Sequence, residues 1–211
     1  MIFNNTNFTN LCDSIAAQDK ELSEIIKTYG YPPMWTRTPD FTTLIHIILE
    51  QQVSLASAKA ALDKIHAKLG GTITPEKLLL LSDTEMRECY FSRQKMVYAR
   101  HLAQSITNGE LNLQQMTEQP DDTVRSELKK IKGIGDWTAD IFLLMGLQRT
   151  NIFPIGDLAM VNSMKRVKQL PAATTKEELL SLAEKWKPHR SIATMLLWHH
   201  YLSFKPVRNK I

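Results

Sequence analysis

The segment from Leu128 to Asp140 places two glycines, Gly133 and Gly135, on either side of Ile134, between two predicted helices. Glycine permits positive φ and lets the backbone approach a ligand closely. We expect the amides of both glycines to point outward beside the positive end of the second helix, where they would bind a nucleic-acid phosphate. Ile134 would be buried between the helices. A phosphate contact of this kind would give affinity for a nucleic-acid backbone without reading bases.

Positive charge accompanies this hairpin. Lys130 and Lys132 adjoin the glycines, and residues 121–211 carry 15 Lys and Arg against 9 acidic residues, whereas residues 1–120 carry 11 against 13. This asymmetry suits a surface that faces a polyanion. Solvated helix faces produce the same asymmetry, and a helical corner can require glycine for tight packing alone, so both structural interpretations stay open here.

The second chemically distinctive stretch contains Pro154 and Gly156, which favour an irregular loop, followed by Asp157 at the start of a predicted helix. Asp is a preferred N-cap residue, worth about 1 kcal/mol, so a purely structural role is sufficient to explain it. A helix N-terminus also favours the ionised carboxylate, the form that stabilises positive charge. The capping and catalytic interpretations of Asp157 are therefore compatible.

These motifs are set among helices, because apolar residues recur at spacings of three and four along most of the chain. Capping residues agree with this pattern: Asp40 and Ser54 precede helical segments, Ser82 with Glu85 forms a capping box, and so does Thr175 with Glu178. No alternating segment is long enough to predict a sheet, so the predicted fold class is all-α. The helical segments are 8–27, 41–50, 55–69, 93–107, 122–131, 137–145, 158–169, 176–186 and 189–203.

Several classes of protein are disfavoured by composition. The two cysteines, Cys12 and Cys89, cannot supply a four-thiolate iron–sulfur cluster, and the six histidines show no metal-ligand spacing. No apolar run approaches the roughly 20 residues that span a bilayer, and the polar stretch 1–10 does not resemble a signal peptide. We expect a cytoplasmic monomer without a membrane partner.

The order of these motifs resembles the helix-hairpin-helix (HhH-GPD) superfamily of DNA glycosylases, in which a Gly-x-Gly hairpin is followed about twenty residues later by a Pro-x-x-Asp loop. The resemblance runs from about residue 36 to residue 203, and it includes two further stretches similar to the 3-methyladenine DNA glycosylase II branch. These are Leu44–Lys59, which contains Gln51 and Gln52, and Trp186–Ala193 followed by Leu197-Trp198.

The resemblance implies a two-lobed helical fold with the active site in the cleft between the lobes. It implies a central lobe over residues 36–146, which ends in the hairpin, and a terminal lobe over residues 147–211 with residues 1–35 packed on it. The terminal lobe would carry the catalytic residue.

The resemblance also implies site residues. Asp157 would be the catalytic carboxylate, Trp137 and Trp198 would line the pocket for the flipped base, and Gln52 would insert where that base had been. The other residues expected to contact DNA are Gly133, Gly135, Thr138, Lys130, Lys132 and Gln51. By analogy with relatives, the carbonyl groups of Lys129, Ile131 and Gly133 are candidates for holding a Na⁺ or K⁺ ion.

Departures from other branches narrow the expected activity. Bifunctional members carry a Schiff-base lysine directly after the Gly-x-Gly-x segment, whereas this chain has Trp137 there. The sequence therefore predicts release of alkylated purines from double-stranded DNA without strand cleavage. Two alternatives remain: a non-catalytic module that binds DNA through the hairpin alone, and a glycosylase for deaminated or oxidised bases on the same scaffold. An unrelated helical interaction protein is the third.

Overall fold

The computed structural model describes residues 1–204, and within them it contains helices and no strand; Ile2 and Arg149 form an isolated β-bridge. The predicted all-α class is confirmed. No helix among these residues combines the length and apolar character needed to cross a bilayer. The α-helices are α1 (Phe8–Gln18), α2 (Lys20–Tyr29), α3 (Phe41–Glu50), α4 (Leu55–Lys68), α5 (Pro75–Leu79), α6 (Asp83–Glu88), α7 (Arg93–Thr107), α8 (Asp121–Lys129), α9 (Asp136–Ile141), α10 (Leu158–Val167), α11 (Lys176–Ala183) and α12 (Arg190–Ser203).

The helices begin where the capping residues predict. The side chain of Asp40 accepts from the amide of Thr43 at the start of α3, and Ser54 caps α4. Both predicted capping boxes form, at α6 and at α11. A cap satisfies amides that the first helical turn leaves without partners, so each of these residues fixes a boundary locally.

Contacts divide the chain into two compact units: Arg37–Leu147, and Met1–Thr36 together with Gln148–Ile211. Residues 205–211, with which the predicted terminal lobe ends, lie outside the described residues.

The unit formed by Arg37–Leu147 is organised around α3. This helix is apolar on nearly all sides, and its residues Leu44, Ile45 and Ile48 are completely buried. A helix that is apolar all round must be covered by neighbours on every face, and α4, α7 and α9 provide that cover. The C-terminal end of α3 is consequently held in a fixed position, which matters because Gln51 and Gln52 follow it directly.

The other unit packs α12 against α1, α2 and α10. Its core includes Trp186, which is completely buried, and the carboxylate of Asp19. That carboxylate accepts from the indole Nε1 of Trp186 at 2.8 Å and pairs with the ammonium groups of Lys168 at 2.5 Å and Lys185 at 2.9 Å. These contacts join α2 to residues more than a hundred positions later in the chain.

The structure differs from the predicted segments at three places. The segment 8–27 is divided at Asp19, whose extended backbone ends α1 and caps α2. The short helices α5 and α6 lie outside the predicted helical segments, because five or six residues are too few to show a clear apolar period. The predicted helix over 137–145 becomes α9 followed by a π-helical turn over Phe142–Gly146.

Candidate nucleic-acid interface and active-site residues

The hairpin connects α8 to α9 through residues 130–135. The amide of Ile134 donates to the carbonyl of Ile131 at 3.0 Å, and Gly133 has a φ of +93°, which favours glycine. Ile134 is 5% exposed, as predicted for the residue between the two helices. Within residues 1–204 the amides of Gly133 and Gly135 donate to no protein acceptor, so both can bind an external anion.

Gly133 is also restricted by its surroundings. A Cβ atom at this position would lie 2.0 Å from Cγ of Tyr98 and 2.3 Å from the ring atoms on each side of it. The Tyr98 ring, which belongs to α7, therefore covers the hairpin backbone directly. Its hydroxyl accepts a hydrogen bond from Gln94, one turn earlier on the same helix. Sequence reasoning did not identify Tyr98, because no local pattern links a tyrosine in α7 to a glycine 35 positions later.

Two residues expected to contact DNA have hydrogen-bond partners within the protein, and their contact with DNA stays a prediction. The side-chain Nε2 of Gln51 donates to the carbonyl of Gly133 at 2.9 Å and to the hydroxyl of Thr138 at 3.0 Å. Thr138 is only 2% exposed, so its side chain faces the interior of the unit. The structure gives both side chains a role in holding the hairpin that the sequence pattern did not indicate.

The lysines of the hairpin differ in their surroundings. Lys129 pairs with Asp136 at 2.5 Å. Lys130 and Lys132 are exposed, and neither pairs with a carboxylate among residues 1–204. Their charges are consequently available to an external polyanion, in agreement with the predicted placement of positive charge next to the glycines.

An ion pair fixes the angle between the two hairpin helices. Arg125 of α8 donates from Nε at 3.1 Å and from Nη2 at 2.7 Å to Oδ1 of Asp140 on α9. Asp140 is 7% exposed. Burial acts to lower the pKa of Arg125, but its hydrogen bonds to Asp140 and the nearby negative charges raise that pKa overall. A two-point pair of this kind is geometrically specific, so it connects α8 to α9 in a defined orientation.

Two of the three carbonyls that are candidates for a monovalent cation already accept hydrogen bonds. The carbonyl of Ile131 accepts from Ile134, and that of Gly133 accepts from Gln51. A carbonyl oxygen has two lone pairs, so one acceptor position remains on each of them for a ligand. Among the described residues, no three His, Cys, Asp or Glu side chains cluster as a metal site would require.

Gln52 occupies an unusual backbone conformation at the end of α3. Its φ is +58°, a region that residues other than glycine seldom adopt. Its side chain is exposed, and the following residue, Val53, is 46% exposed. We call residues 51–54 the α3–α4 turn. Conformations of this kind persist only where the surroundings impose them, and they concentrate at functional sites.

Asp157 caps α10, as the sequence predicts. Its Oδ1 accepts from the amide of Met160 at 2.9 Å and from Nε1 of Trp198 on α12 at 3.1 Å. The amide of Asp157 itself donates to the carbonyl of Pro154 at 2.8 Å, which fixes the preceding loop. Asp157 is half-buried. Oδ1 of this carboxylate is thus held at the positive end of a helix, and the residue remains partly accessible to solvent.

Trp198 has an aromatic neighbour that the sequence analysis missed. The ring of Trp35 meets it edge to face, with centroids 6.2 Å apart and an interplanar angle of 78°. This geometry is favourable for aromatic pairs. Both indoles are half-buried, so the structure brings Asp157, Trp198 and Trp35 together in one unit. Trp137 is half-buried on α9 in the other unit; its expected place in a shared cleft stays a prediction.

Comparisons with known proteins agree with the resemblance. A family model described as "HhH-GPD superfamily base excision DNA repair protein" matches residues 45–189. A DNA-3-methyladenine glycosylase of Bacillus subtilis is 28% identical over 172 residues, which are 76% of this chain and 57% of that protein. Another relative from the same organism is covered over 64% of its length. The chain therefore spans less than two thirds of the length of these two relatives.

Two solved structures are similar over nearly their whole length. A DNA-3-methyladenine glycosidase from Bacillus halodurans has a TM-score of 0.76 and 29% identity, covering 92% of this chain and 90% of that one. The 3-methyladenine DNA glycosylase of Schizosaccharomyces pombe in complex with abasic DNA has a TM-score of 0.81 and 25% identity, covering 90% and 95%.

Proposed function

Because the chain belongs to the HhH-GPD superfamily of base excision DNA repair proteins, we propose that it is a monofunctional DNA glycosylase that releases alkylated purines of the 3-methyladenine type. One observation carries the proposal. Asp157 stands at the N-terminus of α10 with Oδ1 held by the amide of Met160 and the indole N–H of Trp198. A carboxylate fixed in this way is preorganised to stabilise a developing positive charge.

Binding would begin with the phosphate backbone. The amides of Gly133 and Gly135 and the exposed ammonium groups of Lys130 and Lys132 would supply contacts that set register without reading sequence. The target nucleotide must then leave the stack, at a cost of a few kcal/mol that is smaller at a damaged pair. Gln52, exposed at the α3–α4 turn, would take the vacated position and hydrogen-bond the base left behind.

The extruded base would meet aromatic rings. An N-alkylated purine is positively charged, and the face of an indole attracts a cation by about 0.5–2 kcal/mol. Trp198 provides such a ring beside Asp157, and Trp137 is proposed as the second pocket aromatic. This preference for cationic bases supports alkylated purines over deaminated or oxidised bases, which are neutral and would gain less from the rings.

In the chemical step the bond between C1′ and the base nitrogen breaks, and its electron pair leaves with the base. Alkylation has already made the base a good leaving group, so little acid catalysis is required. The sugar becomes oxocarbenium-like, and Asp157 stabilises that charge. Water then adds to C1′ and loses a proton, which Asp157 can accept. Trp137 stands where bifunctional members carry the Schiff-base lysine, which supports base release without strand cleavage.

A base-release assay tests this proposal. Asp157→Asn should keep DNA affinity and lower single-turnover release of 3-methyladenine from methylated duplex by about a hundred- to a thousandfold. Asp40→Asn is the matched control, because it makes the same change at the N-cap of α3 and Asn is an equally good cap; its release rate should equal that of the wild type.

Normal release by Asp157→Asn would refute the catalytic assignment. If the wild type binds duplex DNA and releases no base, the chain is a non-catalytic DNA-binding module. Release of hypoxanthine in preference to 3-methyladenine and 7-methylguanine would instead favour a glycosylase for deaminated bases.

A further inference from the structure

The α3–α4 turn and the hairpin are joined by one side chain, that of Gln51. The backbone of Gln51 ends α3 with a φ of −57° and a ψ of 120°. Its side chain turns inward to the hairpin, whereas the next residue, Gln52, has a positive φ and an exposed side chain. Two neighbouring glutamines therefore face opposite surroundings, one the protein and the other the solvent.

The contacts of Gln51 leave its amide nitrogen no further capacity. A carboxamide nitrogen has two hydrogens, and Nε2 donates to the carbonyl of Gly133 at 2.9 Å and to the hydroxyl of Thr138 at 3.0 Å. Because a backbone carbonyl can only accept, the nitrogen and not the oxygen of the side chain must face Gly133. A direct contact from this nitrogen to DNA would require at least one of these hydrogen bonds to break.

The partners of Gln51 are themselves closely packed. A Cβ atom at Gly133 would overlap the Tyr98 ring, so this ring packs directly against the hairpin backbone. Thr138 is buried in the first turn of α9. A displacement of the hairpin would therefore be transmitted through Gln51 to the end of α3. A displacement of the end of α3 would likewise be transmitted to the hairpin.

We propose that Gln51 is a positioning residue that fixes Gln52 in register with the hairpin. The span between the phosphate held by Gly133 and Gly135 and the base step entered by Gln52 would then be set by this one side chain. The inference rests on the proposed function, because it assumes that Gln52 enters the duplex. It differs from the sequence-based expectation that Gln51 contacts DNA itself.

A double-mutant cycle tests the coupling. Gln51→Met keeps the length of the side chain and removes both hydrogen bonds, and Gln52→Ala removes the inserting group. If Gln51 acts only through Gln52, each variant lowers the single-turnover release rate by about ten- to a hundredfold, and the double variant is no slower than the slower single variant. Extrusion is followed in parallel by the fluorescence of 2-aminopurine placed beside the lesion.

Lys95→Met is the matched control. The ammonium of Lys95 donates to the carbonyl of Leu49 at 2.6 Å, so it holds the same end of α3 without reaching the hairpin. In the double variant with Gln52→Ala, the reduction in release rate should equal the product of the reductions in the two single variants. Thr138→Val removes only one of the two acceptors of Gln51, so it should slow base release less than Gln51→Met does. Combined with Gln52→Ala, it should again be no slower than the slower single variant. This variant replaces Gln51→Met in the cycle if Gln51→Met does not fold.

The inference would be overturned if the double variant showed the product of the two single-variant reductions in release rate. It would also be overturned if Gln51→Met left both the release rate and the fluorescence unchanged. A lower melting temperature with a multiplicative rate effect would show a merely structural role and would overturn it as well. The proposed function fails separately: if the wild type gives the fluorescence signal without base release, the chemistry is wrong, whereas the cycle can still be measured on extrusion.

Discussion

Two aspartates in the same unit have nearly the same local structure and different surroundings. Asp19 caps α2 and Asp157 caps α10, each by accepting from the amide three residues later. Each also accepts from the Nε1 of a tryptophan, Trp186 at 2.8 Å and Trp198 at 3.1 Å. An N-cap aspartate with an indole donor is thus a unit of structure that this chain uses twice.

The two aspartates differ in their access to solvent, and Asp19 also has lysine partners of its own. The side chain of Asp19 is completely buried, and two lysine ammonium groups neutralise it at 2.5 and 2.9 Å. Asp157 is half-buried, and its Oδ1 accepts from a backbone amide and an indole N–H. A carboxylate whose charge is already compensated by two cations has little attraction left for a third. The comparison indicates a stabilising role for Asp19, whereas the partly accessible carboxylate of Asp157 fits the catalytic role proposed above.

The largest expected effect concerns Asp19. Asp19→Asn should lower the free energy of unfolding by about 3 kcal/mol, because it removes the buried carboxylate that Lys168 and Lys185 share and leaves Lys168, whose side chain is 9% exposed, paired with Glu21 alone. Chemical denaturation of the two proteins measures this loss. In Asp157→Asn the same substitution should cost much less, since asparagine caps a helix as well as aspartate does.

The comparison would break if the two substitutions destabilised the protein equally. It would also break if Asp19→Asn, assayed at a temperature where it is folded, lost base release as completely as Asp157→Asn. Either result would show that burial and charge compensation do not separate the two roles.

The sequence could not make this distinction, and the reason is physical. Helix bounds set by local caps were predictable: α3 and α7 have the predicted bounds, and Gly133 adopts the positive φ that its motif requires. The division at Asp19 was missed although its cap on the amide of Leu22 is local, because apolar residues continue at helical spacing on both sides of it. The lysines that hold its carboxylate, Lys168 and Lys185, are distant in the sequence and could not be predicted from it.

The candidate site shows the same limit. The hairpin glycines and Asp157 belong to local motifs, and sequence reasoning found them. Trp35 and Tyr98 act through neighbours remote in the chain, Trp198 and Gly133, and no periodic pattern indicates such contacts. Gln51 was found as a residue of interest, but its internal partners could only be seen in the folded structure.

The next prediction removes each of the two indole N–H donors in a separate variant. Trp198→Phe keeps an aromatic ring and removes the N–H that holds Asp157, so base release should slow by about tenfold or more, since hydrogen bonds to charged groups contribute about 1.5–3 kcal/mol. Trp186→Phe removes the equivalent donor from Asp19. It should lower stability and leave the single-turnover release rate of the folded protein unchanged.

Measuring both rates with saturating enzyme separates chemistry from DNA binding. Equal rates for Trp198→Phe and the wild type would mean that the indole N–H does not position Asp157. A slow Trp186→Phe would mean that the Asp19 cluster contributes to catalysis as well as to stability.

The smallest expected effect is a pH dependence of stability. Burial alone would raise the pKa of Asp19, but hydrogen bonds from Lys168, Lys185 and Trp186 lower it below its ordinary range. A carboxyl group with a lowered folded pKa contributes stability that is fully present above the unfolded value of about 3.9 and is lost as the pH falls from there towards the folded value. One such group changes the free energy of unfolding by at most about 1.4 kcal/mol per pH unit.

Thermal unfolding followed from about pH 6 to about pH 3 should therefore show a flatter curve for Asp19→Asn than for the wild type, because the variant has no carboxyl group at this position to protonate. Parallel curves would mean that the lysine pairs are too weak in solution to hold the carboxylate ionised, and the contrast with Asp157 would then rest on burial alone.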